Sequence, residues 1–180
     1  EVLKTYTLLN TNDSSLSGSD FVLTIANEDE AATYHMSIQN IALFFIDSAD
    51  NVDFAQTEHG GYWRVMYLFQ KHNSNNNSDT TTISKQSYYY SLCGYITLFH
   101  FHALFRKPKP GIIVRICQAL LLPPYQRMGH GKQMFHELHK IAKKQSVTTT
   151  TNQNTTTAEI VEINVEDPAP AFTALRNRVD

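Results

Sequence analysis

The chain has 180 residues and a mass of 20.5 kDa, and 42% of its residues are hydrophobic, so we expect one domain with a real core. Collagen, coiled-coil and wholly disordered chains are excluded, and the apolar runs fall short of the roughly 18 residues that indicate a membrane span. The net charge of −2 conceals a basic middle, 61–145, with 12 basic and 2 acidic residues between two acidic flanks. This pattern suits a protein that holds a polyanion at one place and a cation at another, and equally a chain that alternates charge for solubility.

Hydrophobic spacing predicts one helix and three long strands in the first two thirds of the chain. Apolar residues three and four positions apart predict an amphipathic helix over 34–46. Alternating patterns then predict strands over 62–70, 88–102 and 112–122, with the turn RKPKPG between the last two. We expect these strands to be antiparallel and the helix to pack one face on them.

The last third of the chain predicts a helix, a strand and another helix. An amphipathic helix begins around Gly131, a strand follows over 160–166, and Pro170 opens a final helix. The predicted fold class is therefore α+β, a mixed and mostly antiparallel sheet with flanking helices. The strands before and after the middle helix are parallel if their connection takes the usual right-handed crossover.

Two polar, low-complexity stretches, 72–87 and 146–157, interrupt these patterned segments. Neither offers enough apolar surface to offset the entropy lost on ordering. We therefore predict disordered inserts within one domain rather than linkers between domains.

The cysteines and histidines predict no metal site. Cys93 and Cys117 lie 24 positions apart without a CxxC spacing, which predicts reduced, buried thiols. His100 and His102 share a strand face, yet no third ligand has convincing spacing. A thiol mechanism is disfavoured too, because neither cysteine has an evident general-base partner.

A glycine-bearing turn, QRMGHG over residues 126–131, lies directly between a predicted strand and a predicted helix. Glycines there let successive amide N–H groups and the positive end of the helix converge on an anion such as a pyrophosphate. Arg127 and Lys132 add positive charge. The spacing fits neither GxGxxG, which needs a third glycine where Met134 stands, nor GxxxxGK[ST]. A glycine-rich turn without a ligand is the alternative.

The turn resembles the Q/R-x-x-G-x-G/A signature of the GNAT superfamily of acetyl-CoA-dependent N-acetyltransferases. More narrowly, four segments resemble the catalytic subunit of type B histone acetyltransferases: YHMSIQNIALFFIDSADNVDF, GYWRVMYLFQK, GYITLFHFHALFRKPKPGIIVRICQALLLPPYQRMGHGKQMFHELH and EIVEINVEDPAPAFTALRNRVD. The resemblance implies a GNAT acetyltransferase core over 34–180, whereas 1–33 match loosely as a partial amino-terminal region. The family's carboxy-terminal helical region is missing, and the chain starts at Glu1 rather than Met, so we expect a piece of a longer enzyme.

The resemblance implies acetyl-CoA as co-substrate and no metal. In that superfamily the strand before the turn is splayed from its neighbour, and the pantetheine arm pairs with its free backbone groups. The implied coenzyme-binding residues are the strand end, the turn, the helix start and one aromatic: Leu120, Leu121, Leu122, Gln126, Arg127, Met128, Gly129, His130, Gly131, Lys132 and Phe172. A core role explains Phe172 equally well.

Acetyl transfer to a lysine amine needs a base, because a free lysine has a pKa near ~10.4 and must lose a proton before or during attack. Glu166 lies on the polar side of its predicted strand and matches the VEDP glutamate that the family is thought to use as general base. Asp167 and Asp47 match two further acids grouped with it. Asp47 is the weaker match, since its side chain is shorter than that of the family's Glu. For Asp167, helix capping is the alternative role.

The resemblance finally implies a histone acetyltransferase that modifies lysines of free core histone tails, histone four above all, by direct attack in a ternary complex. The first 60 residues carry ten acids against one lysine, which suits docking of a basic tail. A WD40-repeat histone chaperone as partner and a location in nucleus and cytoplasm are implied too, without direct binding to nucleic acid or membrane. Two alternatives stay open: a GNAT acetyltransferase for another protein or small-molecule amine, and a non-catalytic acyl-CoA-binding or scaffold module.

Overall fold

The computed structural model describes residues 1–8, 18–47, 49–55, 60–74, 87–144, 146–151 and 154–177. Its elements follow in chain order: β1 (Val2–Thr7), β2 (Asp20–Ala26), α1 (Glu28–Ile38), a 3-10 helix (Gln39–Phe44), β3 (Gly61–Ser74), β4 (Ser87–Ala103), β5 (Gly111–Leu121), a second 3-10 helix (Pro123–Tyr125), α2 (His130–Lys144), β6 (Ser146–Thr151), β7 (Asn154–Val165) and α3 (Pro170–Arg176). The described residues include no transmembrane helix.

The strands form a mixed sheet in the order β1-β2-β3-β4-β5-β7-β6. Every neighbouring pair is antiparallel except β5 and β7, which run parallel on either side of the connection that contains α2. The predicted α+β class and the parallel pair around the middle helix are thereby confirmed.

Both faces of the sheet are covered, because its central strands are apolar on both sides. One core cluster joins the sheet to α2 through Met134, Phe135 and Leu138. A second, smaller cluster joins the opposite face to Ala31 of α1 and Ala42 of the first 3-10 helix. On the other side of α2, Lys132, His136, Lys140 and Lys143 are exposed.

The helix predicted over 34–46 begins six residues earlier and is shorter than expected. Asn27 caps α1: its side-chain oxygen accepts a hydrogen bond from the Glu30 amide at 2.9 Å, and the Glu30 carboxylate accepts one from the Asn27 amide at 3.1 Å. This capping box fixes the helix start. After Ile38 the chain tightens into a 3-10 helix, and Phe45, assigned to the apolar stripe, is 50% exposed.

The amino-terminal region and the second polar insert both contain strands. Strands β1 and β2 belong to the same sheet as the rest, and α1 spans the boundary placed at 33/34. Residues 146–151 form β6, and residues 154–157 form the start of β7, paired antiparallel with it. The domain bounds and the disorder of the two inserts stay predictions. Residues 75–86 of the first insert lie outside the described residues.

Candidate active site

Strands β5 and β7 separate at a defined point. Their register ends with Ile116 opposite Val165, and the Glu166 amide adds one last hydrogen bond to the Ile116 carbonyl at 3.0 Å. Beyond it β5 continues through 117–121, paired with β4 as far as Gly94 opposite Leu121. Within the described residues no strand pairs with the other edge of 117–121. We call this place, Ile116–Cys117 and Val165–Glu166, the divergence point.

A β-bulge in β5 coincides with the divergence point. The register passes from Leu98 opposite Ile116 to Thr97 opposite Gln118, so that Cys117 is the extra residue. The Gln118 amide, displaced from the regular ladder, donates to the buried Thr97 hydroxyl at 3.0 Å. Because of the bulge, the side chains after Cys117 change faces, and Leu120 joins the α1-side cluster rather than the α2-side one.

The predicted coenzyme-binding leucines lie at the end of β5, with Leu120 buried and Leu121 and Leu122 half-buried. Leu120 is 5% exposed, and Leu121 and Leu122 pack against the two core clusters. The carbonyl of Leu121 accepts a hydrogen bond from the Gln126 side chain at 2.8 Å. Gln126 thus braces the turn against the end of β5.

The turn 126–131 leads into the amino-terminal end of α2 through two residues with positive φ. Arg127 and Gly129 have φ of 61° and 88°, and α2 starts directly after them at His130. The first amides of a helix lack intrahelical acceptors and, with the helix dipole, attract a negative group. Arg127 and Lys132 are exposed beside these amides, and Met128 is half-buried.

The side chain of His130 faces the core. It is 1% exposed, its Nδ1 lies 2.6 Å from the Tyr6 hydroxyl, and its ring packs on Phe21 at 4.4 Å. Burial lowers the pKa of His130 to about 4, so the imidazole is neutral at physiological pH. His130 therefore presents its main-chain amide to the turn, while its ring fastens α2 to β1 and β2.

Helix α3 closes over the start of α2. Phe172 packs edge-on against Phe135 with ring centroids 4.9 Å apart, and it borders the α2-side core. A Cβ at Gly131 would lie 2.8 Å from a Leu175 methyl group, so glycine there permits the close approach of α3. The two glycines of the turn thus have different roles: Gly129 supplies a positive φ, and Gly131 supplies space.

Glu166 stands at the divergence point, exposed and beside groups of β5. Its Oε1 lies 3.9 Å from Arg115 Nη1, and its carboxylate neighbours the thiol of Cys117. Burial, together with the charge of the neighbouring Glu166 carboxylate, raises the pKa of Cys117 to about 12. The expectation that neither cysteine has a base partner is wrong for Cys117, yet the result is a protonated thiol rather than a thiolate nucleophile. Both cysteines are free, as predicted.

The other two predicted acids are exposed. Asp167 has φ of 39°. It does not cap α3, whose N-cap is Ala169 without a side-chain hydrogen bond, so the capping alternative is excluded. Asp47 follows the first 3-10 helix, and the loop after it is held to β5 by a 2.6 Å hydrogen bond from the Gln118 side chain to the Asp50 carbonyl.

Backbone strain occurs in two places, the glycine turn and the VEDP segment. Among the described residues, Arg127 and Asp167 are the non-glycine residues with positive φ. Such conformations cost free energy and tend to persist at ligand-binding and catalytic positions. The strain therefore marks the glycine turn and the VEDP segment independently of any sequence motif.

Sequence reasoning missed two contributors to the site. Arg115 interrupts the apolar run IIVRIC, and an arginine inside such a strand is a signal that was available. Gln118 was missed because the bulge that turns it toward the α1 side has no sequence signature. His100 stacks on Tyr62 with ring centroids 4.6 Å apart, and no group of three or more candidate metal ligands occurs within the described part of the chain.

A mostly antiparallel sheet whose one parallel pair diverges beside a glycine turn and a following helix is the arrangement of the GNAT fold, as predicted. No family model matches the chain. Among solved structures, the chain is similar to a candidate acetyl transferase from Pyrococcus furiosus. The alignment covers 87% of this chain and 91% of that one, with a TM-score of 0.43 and 13% sequence identity.

Sequence relatives give a narrower result. The chain is 31% identical over 147 residues, 82% of its length, to a histone acetyltransferase type B catalytic subunit of Dictyostelium discoideum. It is 25% identical to the human subunit over 99% of its length and 26% identical to that of Schizosaccharomyces pombe over 92%. The chain is thus a relative of the type B histone acetyltransferase catalytic subunits. It spans 26%, 35% and 36% of these three proteins.

Proposed function

We propose that this chain is the catalytic part of a histone acetyltransferase that transfers acetyl from acetyl-CoA to lysine side chains of free core histone tails, with histone four preferred. The observation that carries the proposal is the divergence point. There the open edge of β5 begins beside the carboxylate of Glu166 and leads along the strand to the glycine turn. The names of the sequence relatives support the choice of histone among possible substrates.

The residues present fit acetyl-CoA. The open edge of 117–121 offers backbone groups to an extended pantetheine arm, in the manner of an added strand. The amides of 129–131 and the charges of Arg127 and Lys132 suit a diphosphate. Pro123 and Pro124 lack amide donors, so pairing along β5 ends before the turn.

The coenzyme supplies an activated acetyl thioester, and the protein supplies position and a base. Glu166 takes the proton that a lysine ammonium must lose before its nitrogen can attack. Direct attack in a ternary complex is favoured over a thiol intermediate, because Cys117 is held protonated. Asp167 and Asp47 add negative charge that would attract a basic tail to this end of the sheet.

The remaining parts of the proposal concern the intact protein. The acidic first 60 residues are suited to a lysine-rich tail. A WD40-repeat histone chaperone as partner and action in the nucleus and cytoplasm follow from the family resemblance.

Calorimetric titration of the intact protein with acetyl-CoA, followed by turnover on a panel of amines, tests the proposal. We expect coenzyme binding with an upward thermal shift, and faster acetylation of a histone four tail peptide than of other tails, protein amino termini or small amines. Preference for another amine would favour the alternative enzyme class. Binding without turnover on any amine would indicate an acyl-CoA-binding module, and a protein that ignores acetyl-CoA would refute the proposal.

A further inference from the structure

A row of polar side chains runs along β7 and ends at Glu166. Arg106 Nη2 contacts Glu162 Oε2 at 2.9 Å, Asn164 Nδ2 donates to Glu162 Oε1 at 3.5 Å, and Arg115 Nε donates to Asn164 Oδ1 at 3.4 Å. The same arginine reaches Glu166 with Nη1 at 3.9 Å. We call this row, from Arg106 through Glu162, Asn164 and Arg115 to Glu166, the β7 polar row.

Arg115 is held from several sides. On β5 it stands opposite Phe99 of β4 and Asn164 of β7, so the register fixes where its side chain starts. Its guanidinium carbon lies over the Phe101 ring at 4.7 Å from the centroid. A planar guanidinium that stacks on an aromatic ring and donates through separate nitrogens has few alternative orientations.

We propose that Arg115 is a positioning residue for Glu166, which rests on the proposed role of Glu166 as general base. Arg115 orients one carboxylate oxygen toward β5 and thereby leaves the other for the substrate amine. The arginine acts through Glu166 and does not touch the reacting atoms.

The surroundings of Glu166 leave the positioning role to Arg115. From β5, Cys117 faces the carboxylate as a neutral thiol, because burial and the carboxylate raise its pKa to about 12. Among the described residues, Arg115 is the cation at ion-pair distance from Glu166.

The test measures kcat, the KM for a histone tail peptide and the affinity for acetyl-CoA in the intact protein for Arg115→Gln and Arg115→Lys. Lys109→Gln is the matched control, because it removes a surface ion pair with Glu159 in the middle of β7. For Arg115→Gln we expect kcat to fall roughly tenfold with unchanged KM and unchanged acetyl-CoA affinity, since a displaced base lowers the rate without weakening binding.

The lysine variant separates charge from geometry. Arg115→Lys should leave kcat between the values of wild type and Arg115→Gln, because it keeps the charge but lacks the planar guanidinium that contacts both Asn164 and Glu166. If Arg115→Gln melts early, the lysine variant decides: reduced kcat with a normal melting temperature supports the inference, and wild-type kcat overturns it. Wild-type kcat in Arg115→Gln overturns the inference alone. Absence of turnover in the wild-type protein overturns the proposed function and the inference with it.

Discussion

The two halves of β5 differ in what surrounds them. Before the bulge at Cys117 the strand pairs with β4 on one edge and β7 on the other, and its inward side chains are almost fully buried. After the bulge, residues 117–121 pair with β4 on one edge, and no described strand pairs with the other edge. One continuous strand is therefore scaffold at its start and, in our proposal, ligand-binding edge at its end.

The difference shows how a rigid sheet can expose backbone without unfolding. Leu120 and Leu122 anchor the open half through their side chains, while the Thr97 hydroxyl satisfies the amide released by the bulge. The open half is thus held in place by side chains rather than by a second ladder. Substitutions in the paired half should affect stability, and substitutions around the open half should affect binding and rate.

The largest effect is expected for Glu166→Gln. Removal of the base should lower kcat by roughly 10²–10⁴-fold, while the affinity for acetyl-CoA stays at the wild-type value, as measured by steady-state kinetics and calorimetry. Glu159→Gln is the control on the same strand, because that carboxylate pairs with Lys109 at the surface. Full activity in Glu166→Gln would show that another group is the base.

Ile116→Ala should destabilise the half of β5 that pairs on both edges. Ile116 is 1% exposed in the α2-side core, so a cavity there should lower the free energy of unfolding by about 2–5 kcal/mol in urea denaturation. Ile116→Val removes less volume and should cost about 1 kcal/mol. Equal stability of wild type and Ile116→Ala would mean that this part of β5 is not the scaffold described.

Acid should loosen the attachment of the turn to the core. The unfolded chain binds a proton at His130 near pH 6.5, whereas the folded pKa is about 4, so this contribution is present above pH 6.5 and is lost as pH falls toward 4. The loss amounts to at most about 3 kcal/mol. His130→Gln should show a shallower decline of unfolding free energy between pH 6.5 and 4. His35 and His100, whose pKa values burial lowers to about 4 and about 3, account for the decline that persists.

The smallest effect is expected at the turn itself. Gly129 has φ of 88° with open space around it, so Gly129→Ala strains the backbone without a clash. The cost of about 1 kcal/mol should weaken acetyl-CoA binding roughly fivefold by calorimetry. Gly129→Asn should bind better than the alanine variant, because asparagine tolerates this conformation. If Gly129→Ala bound acetyl-CoA more tightly than Gly129→Asn, backbone conformation would not be the cause of the weaker binding.

Much of the fold could be predicted from local pattern. Strands β3, β4 and β5 fall within a few residues of their predicted bounds, since alternation and flanking turn residues are strong signals. Strands β1 and β2 were missed because short strands, β1 at the edge of the sheet and β2 beside it, carry little pattern of their own and form through their neighbours. The bulge at Cys117 and the change of face after it depend on register with β4, which one strand's sequence does not contain.

The same contrast holds for the candidate site. The glycine turn and Glu166 were predicted because motifs reside in contiguous residues. Arg115 and the inward-facing ring of His130 were not, since their roles depend on partners such as Asn164 and Tyr6 that lie far along the chain.

Strand β1 is fastened to the first turns of α2 by the contact of Tyr6 with His130 and by Lys4, which donates to Gln133 at 2.6 Å. Two distant parts of the chain are consequently linked in free energy: a ligand that tightens the turn also protects the amino-terminal edge of the sheet. Because such coupling is reciprocal, fraying of that edge lowers the affinity of the turn for its ligand.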